Sequence, residues 1–545
     1  MNTHTSSPLV IDGRPVRPVH LHAVWNECVG AGRANEGLRA DWQAQFTEAA
    51  DRLGFRYLRF HGLFHDDMFV YRATYGGGFG PDARLPEPVH TFSYVDKLFD
   101  YIVDAGVKPF VELGFMPYDL ASQHRTVFWW GAHCSPPKDM DRWVELVDAT
   151  VRHWVERYGI DELRTWRFEV WNEPNLVPHF WTGTRSEYFE LYAATARAIK
   201  AIDAGLKVGG PSTSVYVPDA RYEGETEDRT VQAATAAAED VDALEWRPVW
   251  ISELLDFCAE NELPVDFVST HLYPTDFAFG ANGESVSISR YADATRDDLI
   301  TLRRLLGASA FPHAEIHITE WSSSPSSRDR MHDTVQAATY ITRAYLWCTD
   351  LADSISYWTF TDVFEEGGAG LGPFHGGFGI VNEQGIHKPT FHAFEALSRL
   401  GDELLTSTER GVISRSSQSG AVSAVFYNYP DEMADASLRA VSTCEEVDPL
   451  DGLGPSVRLS HRIEGLIPGT RYLIEQLDLS HGNPVRAWRD MGSPLNLSRE
   501  QASDLAVVAD ALERSSVTVS DAGVLAIEVT LPPWAVVSVY EEPKS

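Results

Sequence analysis

Trp166-Arg167-Phe168-Glu169-Val170-Trp171-Asn172-Glu173-Pro174-Asn175 reads as a buried strand that ends abruptly in a polar cluster. Ala314-Glu315-Ile316-His317-Ile318-Thr319-Glu320-Trp321 has the same design. Each sets one carboxylate where a strand gives way to a loop, beside aromatic rings. Two carboxylates facing one cavity are the minimum equipment for acid/base and nucleophilic chemistry at a sugar acetal. The fold must therefore bring Glu173 and Glu320 together.

Working outward, apolar strand-like runs alternate with longer amphipathic helical runs from about Val19 to Leu400. Eight strands are expected, ending near Trp25, Phe60, Gly114, Asn172, Gly210, Tyr273, Trp321 and Phe360. The first is read as Val19-His20-Leu21-His22-Ala23-Val24-Trp25, whose two histidines alternate, so at most one faces inward. Helices are predicted over Arg185 to Ala204, about Trp250 to Asn261, and about Asp333 to Thr349. Eight such units predict an α/β fold, a (β/α)8 TIM barrel over residues 15–400, with chemistry at the carboxyl ends of its strands. Five strand ends carry suitable groups: His61, Asn172 with Glu173, His271 with Tyr273, Glu320, and Trp358. After about Leu400 short β-rich runs take over, such as Ala421 to Tyr427 and Gly523 to Val529. They predict an appended C-terminal β-sandwich over residues 401–545, interrupted by a helix near Ser498 to Leu512. Residues 1–14, through Val10 and Ile11, are candidates for an extra strand on it.

Composition narrows the function. The 545 residues suit one large domain and one smaller one. A net charge of −34 excludes nucleic acid and anionic membranes as partners, since both would repel such a surface. It also weighs against a strongly anionic substrate. No apolar run is long enough to span a bilayer, and Met1 to Pro18 has no apolar secretion core. The five cysteines are scattered, odd in number and without metal-ligand spacing. Free thiols and a cytoplasmic location are the expectation, with a small imported saccharide as the substrate. Between Pro218 and Trp246 an acidic, alanine-rich segment follows strand five. It reads either as a solvated insertion or as a wall or lid of the substrate pocket.

The chain resembles the β-xylosidases of glycoside hydrolase family 39, barrel glycosidases with acid/base and nucleophile on strands four and seven. The resemblance rests on an ordered set of motifs. It begins with Arg59-Phe60-His61-Gly62-Leu63-Phe64-His65-Asp66-Asp67 and Phe110 to Pro117, and passes through Phe168 to Asn175, Pro264 to Ser269 and His317 to Glu320. Tyr357 to Glu366, His375 to Gly379 and His481-Gly482-Asn483-Pro484 complete it. The resemblance implies that Glu173 is the general acid/base and Glu320 the nucleophile, with retention of anomeric configuration. Two close carboxylates cannot both ionise easily, so the pKa of Glu173 is expected to be raised. By the same resemblance, Asn172 holds the sugar 2-hydroxyl, and His271 and Tyr273 stand beside nucleophile and sugar. Glu365 and Glu366 grip sugar hydroxyls, His61 and Asp66 line the same subsite, and Trp358 floors the ring. No cofactor and no metal are implied. Family members are often homo-oligomers.

Phe60, where the family often has Gly, and Trp321, where Tyr is common, depart from the pattern. The acidic segment is longer than usual. All three are expected near the pocket, where they would bear on the identity of the sugar. D-Xylose leads; L-arabinose, β-galactose, β-glucose and the uronic acid of α-L-iduronidases are alternatives. A silent sugar-binding protein, or a metal-dependent hydrolase using His61, His65, Asp66 and Asp67, are readings from other classes.

Overall fold

The computed structural model describes residues 9–14, 19–75, 83–433, 436 and 438–543. Eight parallel strands close into a barrel: β1 (Cys28–Arg33), β2 (Tyr57–His61), β3 (Lys108–Leu113), β4 (Arg167–Val170), β5 (Lys207–Thr213), β6 (Phe267–His271), β7 (Glu315–Trp321) and β8 (Ser354–Tyr357). They follow one another in chain order around the ring, and β8 pairs with β1 through Tyr357 and Val29. Nearly every strand residue is buried, as a parallel sheet covered on its outside by helices requires. The fold is therefore the expected (β/α)8 barrel.

One strand differs from expectation. The run from Val19 to Trp25 is not in the barrel. Val19–His20 pairs antiparallel with Glu403–Leu404 at the edge of a sheet built mainly from the C-terminal third. The true first strand, Cys-Val-Gly-Ala-Gly-Arg, is poor in β-branched residues, so propensity pointed upstream. Its glycines have a reason: a Cβ on Gly30 would collide with the Trp358 ring, and one on Gly32 with the Glu36 carboxylate.

The helices fall where amphipathic spacing placed them, at Arg185–Ile202, Ile251–Glu260 and Val335–Trp347. The first begins at a reciprocal cap between Thr184 and Glu187. Its buried Tyr188 donates a hydrogen bond to the carbonyls of Val170 (2.9 Å) and Pro211 (3.2 Å). That hydroxyl ties together the carboxyl ends of β4 and β5, where the polar cluster begins.

Beyond the barrel, a seven-stranded sheet faces a three-stranded one in a sandwich. Ile413, Phe426, Val537, Leu525 and Ile527 fill the space between. Leu9–Asp12 adds a parallel strand to the smaller sheet against His461–Glu464. A helix over Arg499–Ala509 interrupts the sandwich. All five cysteines are free. No described helix is long and apolar enough to cross a membrane.

Candidate active site

The barrel opens at the carboxyl ends of its strands into a small cavity of about 80 Å³. Its polar lining is His61, Asn172, Glu173, Tyr273, Glu320 and Glu366. Its apolar lining is Phe128, Phe180, Pro325, Trp358 and Phe378.

The geometry starts at β2. Arg59 and His61 are two apart, so both face the barrel interior, whereas Phe60 points outward. Arg59 is fully buried. Its guanidinium donates to Glu169 (2.6 Å), Glu320 (2.9 Å) and the amide oxygen of Asn172 (2.8 Å). Glu112 is 2.9 Å away. One cation thus holds carboxylates from β3, β4 and β7 and the second residue past β4. A buried charge without such partners would be prohibitively costly. These carboxylates keep the Arg59 pKa above its ordinary value despite burial.

After β4 the backbone turns sharply. Trp171 and Glu173 both have positive φ, 73° and 45°, in the left-handed region that non-glycine residues avoid. Each such residue costs on the order of 1–3 kcal/mol and is kept only where the surroundings impose it. The surroundings are specific: the Glu173 N–H donates to the Ser212 carbonyl (2.8 Å), and Trp171 Nε1 donates to the Phe180 carbonyl (2.8 Å). Asn175 clamps Ser214 through its side-chain amide and the Ser214 N–H.

On β6 and β7 an irregular register does similar work. Thr270 pairs with Ile318, but His271 pairs with Glu320, so Thr319 is skipped. A bulge of this kind re-aims side chains at a strand end. Oxygens of Glu173 and Glu320 and a ring nitrogen of His271 all lie within 4.8 Å of one another. His271 Nδ1 is 2.9 Å from Glu173 and 3.6 Å from Glu320. The Tyr273 hydroxyl donates to Glu320 at 3.1 Å.

The two carboxyls have different surroundings. Glu320 is held by Arg59 and Tyr273. Glu173 has no direct cation, and its pKa is pushed up to about 8. Burial is the main cause; Arg59 opposes it and Glu112 adds to it. Repulsion from Glu320, the cause expected from sequence, is not among the leading ones. Burial likewise pushes Glu112 up to about 8 and His61 down to about 3. The pKa of Glu366 is raised by burial first and by nearby Glu320 second.

The structure gathers Glu173, Glu320, Asn172, His61, His271, Tyr273, Trp358 and Glu366 at one mouth. It does not bring Asp66 or Glu365 to the cavity. The Asp66 carboxylate accepts the backbone N–H of Tyr118, and Glu365 is taken up by Arg33 (3.0 Å) and Arg39 (2.9 Å). The quartet considered for a metal is dispersed: His61 bonds Glu112, His65 bonds Asp67, and Asp67 pairs with Arg33. Two of the departures also face away from the pocket. Phe60 packs edge-on against Phe99, and Trp321 against Tyr345 while donating to Thr295. The acidic segment packs on the hairpin Thr275–Ser289, where Gln232 accepts the Phe279 N–H. It supplies none of the residues lining the cavity.

Sequence reading passed over Arg59, Glu112 and Glu169, although a charge inside an apolar strand was a signal. It also passed over Phe128, Phe180, Pro325 and Phe378, which lie on loops and carry no local signal.

Comparison with known proteins fits this geometry. The sequence profile of glycosyl hydrolases family 39 matches residues 10–233 and 240–526. The chain belongs to glycosyl hydrolases family 39. It is 35% identical over 525 residues to a β-xylosidase of Caldicellulosiruptor saccharolyticus, covering 95% of each chain. Among solved structures, the family 39 enzyme from Xanthomonas axonopodis pv. citri superposes with a TM-score of 0.81 at 34% identity, covering 99% of this chain and 98% of that one. A monomeric β-xylosidase from Caulobacter crescentus CB15 gives 0.80 at 32% identity, covering 98% and 100%. As a family 39 member this chain is a glycoside hydrolase, and a silent sugar-binding role is set aside.

Proposed function

We propose that this glycosidase removes single terminal sugars with retention, by double displacement through Glu320 and Glu173. The carrying observation is the pairing of the two carboxyls: oxygens within 4.8 Å, in unlike environments. Retaining enzymes hold their carboxyls about 5–5.5 Å apart, whereas inverting ones need a gap wide enough for a water. In the first step a Glu320 oxygen forms a bond to the anomeric carbon. The glycosidic C–O bond breaks, and Glu173 gives its proton to the departing oxygen. A pKa of about 8 keeps that proton on Glu173 at neutral pH. In the second step Glu173, now deprotonated, takes a proton from water as the water oxygen displaces Glu320. Tyr273 and Arg59 hold the attacking carboxylate, and Asn172 presents its amide beside Glu173.

The size of the cavity supports exo action on one ring. Aromatic walls enclose it on several sides, and a relative 35% identical over 95% of this chain is a β-xylosidase. Terminal β-D-xylose of short saccharides is the substrate we favour. An anionic sugar is disfavoured, because no Lys or Arg is among the described residues lining the cavity and Arg59, at its base, is already committed to carboxylates.

The test is Glu320→Gly. Hydrolysis of aryl β-D-xyloside should drop by about 10⁴-fold or more, and added azide should restore turnover with an inverted glycosyl azide as product. Substantial residual activity without azide would remove Glu320 from the role of nucleophile. A panel of aryl glycosides on the wild type reads the sugar.

A further inference from the structure

We propose that Trp129 forms the binding platform for the leaving group, a flat sugar or aryl ring that stacks on its indole at the cavity mouth. The inference rests on the exo-glycosidase reading above. A cavity with room for one ring cannot also hold the departing ring, which must lie outside, against something. Trp129 is the exposed tryptophan beside that opening: its side chain is 69% exposed, while Trp171, Trp321 and Trp358 are buried.

Its place at the mouth is fixed from both sides along the chain. Phe128 lines the cavity and stacks on the His61 ring at 5.6 Å. Trp130 is buried under the Arg33 guanidinium, 5.2 Å from its centroid, with His65 against its edge. Phe128 holds a positive φ of 62°, which lets neighbours 128 and 130 both turn inward while 129 turns out. The Trp129 N–H donates to the carbonyl of Glu366 at 2.7 Å, and Glu366 lines the cavity.

A second loop braces the platform. Gly368, with φ of 76°, comes so close that a Cβ there would lie 3.7 Å from the indole. Arg328 donates to the Gly368 carbonyl at 2.7 Å and ties this loop to the one that supplies Pro325. The backbone of Trp129 is thus held by Glu366, Gly368 lies beside the indole, and most of the residue faces solvent next to the opening. A rigid exposed aromatic face suits a sugar face or an aryl ring, through dispersion and C–H contacts rather than charge.

The experiment compares Trp129→Ala, Trp129→Phe and wild type on three glycosides of whichever sugar the wild type hydrolyses: the disaccharide, the aryl glycoside and the glycosyl fluoride. Fluoride leaves from the same anomeric carbon, by cleavage of a C–F bond, but is too small to reach the platform. For Trp129→Ala, kcat/KM should fall about tenfold on the disaccharide and the aryl glycoside, the scale of one lost ring contact. It should stay at the wild-type value on the fluoride, and Trp129→Phe should recover most of the loss. Equal falls on all three substrates, or no fall on any, would overturn the platform, and thermal unfolding of the variant separates misfolding from lost binding. A wild type that hydrolyses no glycoside would overturn the underlying reading instead.

Discussion

The floor and the walls of the cavity are built differently. The floor is polar and strand-borne: Arg59, His61, Glu112, Glu169 and Glu320 project from β2, β3, β4 and β7, locked to one another by ion pairs and hydrogen bonds. The walls are aromatic and loop-borne: Phe128, Phe180 and Phe378 come from connections after the strands. A floor of mutually dependent charges has one workable arrangement, because removing any member leaves another buried and unpaired. A wall of loop side chains can change without disturbing the barrel. Reaction type should therefore reside in the floor and choice of sugar in the walls.

The strongest challenge to that division is Arg59→Ala. It leaves the Glu169, Glu320 and Glu112 carboxylates without their common cation. We expect about 3–5 kcal/mol lost stability in denaturant unfolding. Turnover should fall at least about 10³-fold, since the attacking carboxylate loses its main hydrogen-bond donor. A variant that unfolds at the wild-type midpoint would mean that the network is not what holds the floor. Tyr273→Phe is milder. It deletes one charge-assisted bond to Glu320, so unfolding should be easier by roughly 1.5–3 kcal/mol, less than for Arg59→Ala, and kcat should fall about 10- to 100-fold. A rise in KM alone would move Tyr273 from the floor to sugar binding.

The walls should answer differently. Phe180→Ala enlarges the cavity on the side braced by Trp171. We expect KM for the xyloside to rise several-fold, with kcat affected less, because the contact is made in ground and transition states alike. Relative activity on glucoside or galactoside should improve, as room opens for a hydroxymethyl group. If kcat collapses instead, the walls also carry the reaction and the division fails.

The legibility of these two regions in the sequence differs for the same reason. Glu173 and Glu320 could be read because strand ends in a barrel have one destination. Arg59, Glu112 and Glu169 could have been read: each breaks an apolar strand, and a charge there must have a partner. The walls could not, since nothing in a loop sequence says which ring turns inward. Asp66 and Glu365 show the complement, polar residues near the right strands whose backbone and arginine partners take them elsewhere. The misplaced first strand shows that propensity fails where close approach, here of Trp358 on Gly30, dictates small residues.

A smaller effect is the pH dependence of stability. Glu112 is pushed up to about 8 by burial, against an ordinary value near 4.5. The folded state then binds more protons than the unfolded one between those limits, so this group's contribution is full below about pH 4.5 and lost as pH rises through 8. Glu112→Gln should flatten the decline of the unfolding midpoint between pH 5 and 8. An unchanged slope would show that Glu112 stays ionised beside Arg59. Glu173 has the same direction and a separate readout, an alkaline limb of kcat/KM near pH 8 as the proton donor is lost.

The smallest expected effect belongs to the residues that depart from the family pattern. Phe60 lies one position from both Arg59 and His61, yet on the opposite face of β2, edge-on to Phe99 of the helix Ser93–Asp104. Trp321 is likewise adjacent to Glu320 but turned toward Tyr340 and Tyr345. Alternation along a strand makes sequence neighbours spatial strangers. Phe60→Leu should cost about 1–2 kcal/mol in packing, and the ratios of kcat/KM among xyloside, arabinoside and glucoside should stay as in the wild type. Trp321→Tyr should behave the same way after losing its bond to Thr295. A shift in sugar preference from either change would show that the outer face of the strands reaches the cavity through the backbone, and that floor and walls are not separable.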